Sequence, residues 1–241
     1  PLFLALNDIF SQGKRYIMML ITFTLSLLLV VILANSANTM KSDHLVTSFG
    51  MIESDLYMVK TDQSDSFFHQ EGEARMRHHL QEIADNLKAH GMNADVSINM
   101  MMKLSLRYKD RSCKSIVLYG VNSKAENYTY IEGTPPQRAN EIAITPIISE
   151  RLHVSIGDTI TITDINGEKE YLITALFQSM MNMGEGVRLH ESAQISFSQL
   201  VGFSAFQIKF TDDPDSTTIQ DRLNQIQALY PEGEVYKGGA Y

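Results

Sequence analysis

The 241-residue sequence has no tryptophan, a single cysteine and only six prolines. One cysteine, Cys113, leaves no partner for a bridge within the chain, so a disulfide-stapled scaffold is excluded. With 44% hydrophobic residues and 20% charged, composition also excludes a disordered or collagen-like chain. There is no excess of positive charge. The net charge of −8 argues against a nucleic-acid partner, since neutralising phosphates needs a basic face. Known catalytic signatures are missing too. No GxxxxGK[ST] phosphate loop and no G-x-S-x-G elbow occurs. His190-Glu191-Ser192-Ala193-Gln194 begins like the zinc-protease HExxH but has Gln where the second imidazole ligand belongs.

What is present divides sharply. Tyr16–Ala34 runs without a charge, long enough as a helix to cross a hydrocarbon core of ~30 Å. It exceeds the usual apolar stretch of a cleaved leader, although Ala34-Asn35-Ser36 loosely fits a cleavage site. Lys14 and Arg15 mark its inner boundary, which places residues 1–15 in the cytoplasm and the bulk of the chain outside. Thr22 and Ser26 offer a polar strip to a neighbouring helix. In residues 1–15, Leu2, Leu6, Ile9 and Phe10 fall on one face of an amphipathic segment suited to the inner membrane surface or a cytoplasmic partner. The start at Pro1 suggests a piece of a longer protein.

Residues 42–241 hold 17 basic and 27 acidic side chains, a net −10 that could attract cationic peptides or simply keep the domain soluble. The expected order is a transmembrane helix over 16–37 and a stalk helix over 38–53, its Leu45, Phe49 and Ile52 at helical spacing. A strand is expected at Leu56–Lys60, a helix from Glu71 to His90, and strand from Ala94 through Tyr108. A second β-α-β unit closes the chain: strand Phe206–Thr211, a helix N-capped by Asp213 with Pro214 at its first position, and strand Glu234–Lys237. Between them lie β signals at Ser115–Val121 and Glu141–Thr145, and a hairpin around Asn166-Gly167, expected as a type I′ turn. The fold class is therefore α+β. A transmembrane helix precedes an exterior ferredoxin-like (porter-like) subdomain, discontinuous over 54–112 and 203–237, with a β-rich insertion over 113–202.

Few residues speak for a site. Met180, Met181 and Met183 could form an adaptable apolar surface for a peptide or lipid, or offer thioethers to Cu(I), with ordinary packing as the alternative; the same holds for Met100–Met102. His78, His79 and Glu82 lie on a predicted helix, where His79 with Glu82 could hold a metal weakly, the alternative being a solvated helix face. No catalytic, cofactor-binding or metal residue is assigned.

From Gly133-Thr-Pro-Pro-Gln-Arg-Ala-Asn-Glu141-Ile-Ala-Ile-Thr145, followed by Leu152 and Ile156-Gly157-Asp158-Thr159-Ile160, the sequence resembles the FtsX-like permease family of ABC transporters and its MacB-type extracytoplasmic core domain. The opening Leu4-Ala5-Leu6-Asn7-Asp8-Ile9-Phe10 with Lys14-Arg15 is similar to the family's approach to a leading membrane helix. The resemblance implies a permease subunit in a bacterial plasma membrane, without enzymatic activity of its own. ATP would be hydrolysed by a separate cytoplasmic ABC ATPase, to which Leu6, Ile9 and Phe10 would couple. Further transmembrane helices would complete the permease, and the exterior would work on a peptide, a lipid or a cell-envelope partner. The residues alone leave two other readings open: a single-span sensor, or an anchored ligand-binding module.

Overall fold

The computed structural model describes residues 13–40, 47–60 and 71–238. The chain divides into two compact units after residue 42. The first contains helix α1, Gly13–Met40, of which Gly13–Ser36 is long and apolar enough to cross a membrane. Uniform hydrophobicity rather than one apolar stripe makes this a helix suited to lipid on all sides. Lys14 and Arg15 lie inside its first turn rather than ahead of it. Cations there oppose the helix dipole, so helix electrostatics do not account for their position. The polar strip turns inward: Thr22 Oγ1 donates to Met18 O (2.9 Å) and Ser26 Oγ to Thr22 O (2.8 Å). Both hydroxyls are thereby satisfied within the helix.

The second unit is an α+β domain built on a long strand. Strands β1 (Leu56–Lys60), β2 (Ala94–Tyr108) and β3 (Arg111–Val121) come first, with α2 (Gly72–Ala89) joining β1 to β2. Then follow β4 (Tyr130–Gly133), β5 (Glu141–Ile144), α3 (Pro146–Leu152), β6 (Thr159–Asp164), β7 (Gly167–Phe177), β8 (Gly186–Leu189) and β9 (Leu200–Phe203). β10 (Phe206–Phe210), α4 (Ser216–Leu229) and β11 (Gly233–Lys237) close the chain. At one end the order β11-β1-β10-β2 is antiparallel at every step. β2 then continues through the sheet, pairing with β3 along Ile98–Tyr108 and, on its other side, with β9 and β6. The two expected exterior regions thus share a strand. The division between 112 and 113 falls just past the tip of the β2–β3 hairpin, whose ladder is unbroken from Arg111 to Val121.

Alternation explains the core. Val96, Ile98, Met100, Met102, Leu104 and Leu106 fall on one face of β2, all buried. Met76, Leu80, Ile83 and Leu87 of α2, at spacings of three and four, join the same cluster. On α4 only Ile226 is fully buried, with Ile219, Leu223 and Leu229 packed at the margin.

Three local expectations change. The stalk reading falls partly on residues 41–46, outside those described; beyond it, Gly50 at φ 75 ends a turn and residues 51–54 have no helical hydrogen bonding. Phe49 is exposed while Ile52 is buried, so they do not share a helix face. The cap of α4 is Asp215, not Asp213: Asp215 is extended and its Oδ1 accepts from Thr218 N (2.7 Å), whereas Asp213 has φ 46. Pro214 consequently precedes the cap. In the β6–β7 hairpin the loop residues are Ile165-Asn166 between the paired Asp164 and Gly167. Only Gly167 has a positive φ (114), so the turn is not type I′; Asp164 Oδ1 holds it by accepting from Asn166 N (2.7 Å).

Candidate functional site: an open strand edge beside a buried arginine

The motif residues of the sequence converge on β7, which pairs with β4, β5 and β6. Glu141, opening β5, accepts from Gln137 N through Oε2 (2.8 Å) and so ties down the loop after Pro135-Pro136. Asp158, just before β6, accepts from Ser155 N (2.8 Å) and from Tyr108 Oη (3.1 Å). Gly133 has φ 84, and a β-carbon there would lie 2.3 Å from Thr174 O. Each of these residues fixes a turn or a close approach of backbone, which is a scaffold role.

A side chain absent from the sequence reading dominates the interior. Arg188 of β8 is fully buried. Its Nη1 donates to Asn99 Oδ1 (2.6 Å), its Nη2 to Ser123 O (2.9 Å), and the guanidinium lies 4.2 Å over the Tyr128 ring. No carboxylate pairs with it among the described residues, so neutral acceptors and a π face stabilise the buried charge. Burial pushes the Tyr128 phenol up, with Arg188 acting in the opposite direction. Tyr128 Oη in turn donates to Gly50 O (3.1 Å). Arg188 thereby anchors the β3–β4 connection to the sheet.

That connection borders an opening. β3 pairs with β2 only from Ile98 onward, so Ala94–Ser97 has a strand partner, β10, on one side only among the described residues. Asn122, at φ 57, turns the chain off the ladder. Its Nδ2 donates to Val96 O (3.2 Å), while its Oδ1 accepts from Arg77 Nη1 (3.3 Å). Thr211 N donates to Asn93 O (3.1 Å), which fixes the alternation: odd-numbered main-chain groups of β2 face β10, and those of Ala94 and Val96 face the opening. The groove around this edge has a volume of about 1120 Å³, walled by α2 at Gln81, Ala84 and Asp85 and by residues 122–129.

The methionines near position 180 divide between the core margin and the surface. Met181 packs with Met101 against Leu118 and Phe177, and Gly50 leaves room for its sulfur. Met180 is half exposed and Met183 is 93% exposed. Asn182, Met183 and Gly184 are all left-handed, at φ 47, 58 and 85. The turn is held at its base by Met180 N donating to Ser48 O (2.8 Å). His190 stands in a loop, with Nδ1 2.6 Å from Ser192 Oγ. His78 and His79 approach different oxygens of Glu82, at 3.3 and 3.4 Å, and His79 also packs edge-on against Phe206. Among the described residues, no group of three or more His, Cys, Asp and Glu could hold a metal ion. Leu6, Ile9 and Phe10 lie outside the described residues.

The fold is similar to the periplasmic region of MacB. That structure, from Actinobacillus actinomycetemcomitans, shares 12% identity over 77% of this chain and 90% of its own, with a TM-score of 0.47. The extracellular domain of the noncanonic ABC-type transporter YknZ from Gram-positive bacteria matches at 10% identity, over 77% of this chain and 99% of its own, with a TM-score of 0.43. No family model matches the sequence, and no curated protein does.

Neither Arg188 nor the groove had a legible signal. Gly186-Val-Arg-Leu189 reads as an ordinary strand with one outward cation. Only the placement of β8 between β3 and β5 puts that position inside. Asn122 was recognisable as a residue that tolerates positive φ, but where β3 leaves β2 is a matter of register.

Proposed function

We propose that this chain is a segment of the permease subunit of an ABC transporter. A cytoplasmic ABC ATPase partner hydrolyses ATP, and the membrane helices transmit that motion to exterior work on a peptide, a lipid or a cell-envelope partner. The supporting observation is the coincidence of an N-terminal apolar helix with the Gly133–Ile160 motif in one chain. Gly133 closes β4, Glu141 opens β5, α3 follows, and Gly157-Asp158 precedes β6, which is the order that the resemblance implies. The finer reading of the sheet belongs here as well. With α2 and α4 as the crossovers, the antiparallel order β11-β1-β10-β2 is what a ferredoxin-like split β-α-β requires. The N-terminus faces the cytoplasm by the basic residues at its helix boundary, and the α+β domain faces outward in a bacterial plasma membrane. Leu6, Ile9 and Phe10 form the coupling surface. The chain itself contributes no catalytic residue.

The test is purification of the native protein from mild detergent with identification of what accompanies it. Recovery of a P-loop ATPase, lost when Leu6, Ile9 and Phe10 are replaced by Ser, is the expected result. A protein that spans the membrane once and brings no ATPase would favour a sensor or an anchored binding module instead.

A further inference from the structure

We propose that the open edge of β2 at Ala94–Ser97 binds an extended cationic peptide as an added strand. The Ala94 N–H, the Ala94 C=O and the Val96 N–H face the opening at a spacing that matches another strand, while the Val96 carbonyl is already occupied by Asn122 Nδ2. An extended peptide satisfies such a row with its own main chain, which is how sheet edges recognise peptides. A compact ligand would leave most of the row unused, and the groove is already above the roughly 300–1,000 Å³ of small-molecule pockets.

Charge selects the peptide's sign. The groove is lined by Glu53, Asp85, Asp95 and Glu126 and by Lys88, Lys124 and Lys209. Lys209 is engaged by Asp55 (3.1 Å) and Lys124 by Glu126 (3.4 Å). That leaves Glu53, Asp85 and Asp95 against Lys88, an excess of acid within a domain that is itself acidic. The opening is also built to stay open. Arg188 pins the 122–130 connection away from the ladder, and Arg77 holds Asn122 in its left-handed turn.

The inference is independent of the transport reading, because strand addition at β2 requires no ATPase. Its test uses the full chain in nanodiscs of zwitterionic phosphatidylcholine, with fluorescence anisotropy of a labelled (Lys-Val)3 peptide. Saturable binding is expected, weakened by salt, and roughly fivefold or more tighter than that of (Glu-Val)3 or of a (Lys-Val)3 analogue N-methylated at alternate residues. Ala94→Pro removes an outward N–H without touching the β10 ladder, so it should weaken binding by roughly fivefold and leave the unfolding midpoint unchanged. Asp95→Lys should weaken it through charge alone. Should Ala94→Pro unfold, the N-methylated peptide and Asp95→Lys still decide. Absence of saturable binding overturns the proposal, as does binding indifferent to N-methylation. Ala94 and Val96 amides already protected from hydrogen exchange without peptide also overturn it, since the chain's own residues would then cover the edge.

Discussion

Tyr119 shows how one side chain ties three elements together. Its hydroxyl lies 3.0 Å from both Glu73 Oε1 on α2 and the Glu191 carbonyl after β8, and it accepts from Arg77 Nη2 (3.4 Å). Burial first, and then the adjacent Glu73 carboxylate, push the phenol from its ordinary 10.0 up to about 12. The folded state therefore keeps this proton at pH values where the unfolded chain has released it. The stabilisation is complete below pH 10 and is lost as pH rises towards 12. Burial pushes Tyr128 and Tyr171 the same way, so the alkaline limb is steep. With solvent screening trimming the roughly 2.7 kcal/mol that a rise from 10.0 to about 12 represents, equilibrium unfolding at successive pH values should show a loss of about 1 to 2 kcal/mol from Tyr119 across that window, and Tyr119→Phe should flatten the slope. An unchanged slope would place the titration elsewhere.

At the scale of elements, the turn after β7 is strained where it is exposed. A non-glycine residue in the left-handed region costs on the order of 1–2 kcal/mol, and Asn182 tolerates that conformation better than Met183 does. The Met183 side chain packs against almost nothing, being 93% exposed. Met183→Gly should accordingly stabilise the domain by about 1 kcal/mol in chemical denaturation. Destabilisation would mean that this methionine makes a contact that offsets the strain. The turn chemistry here was not readable from composition. Hydrophobic periodicity placed α2 and β1 nearly to the residue, because burial on one face repeats locally. The α4 cap and the hairpin turn depended instead on side-chain hydrogen bonds that hydrophobic periodicity does not reveal, from Thr218 N to Asp215 Oδ1 and from Asn166 N to Asp164 Oδ1.

For the α+β unit as a whole, the consequence of β2 is cooperativity. Its fifteen residues pair with β10 at one end and with β3, β6 and β9 further along. One hydrophobic cluster also runs from Leu56 and Phe206 to Ile160 and Leu189. Loss of either half strips β2 of partners and opens the core of the other. Calorimetry of the full chain in detergent should therefore show one unfolding transition for residues 43–240. Two transitions would restore a division near residues 112 and 203.

By itself the sequence determined the apolar helix, the α+β class, the acidic charge of residues 42–241 and the turn residues of the Gly133–Ile160 stretch. All of these depend on local periodicity, composition or short-range turn chemistry. Only the tertiary structure decided that Arg188 lies inside, where β3 abandons β2, and that the two expected subdomains share a strand. Those facts depend on register between segments far apart in the chain. Arg188 meets Asn99 across 89 positions, and Phe210 N meets Asp55 Oδ2 across 155. No spacing within a single segment encodes such a meeting, since it exists only once the intervening chain has folded.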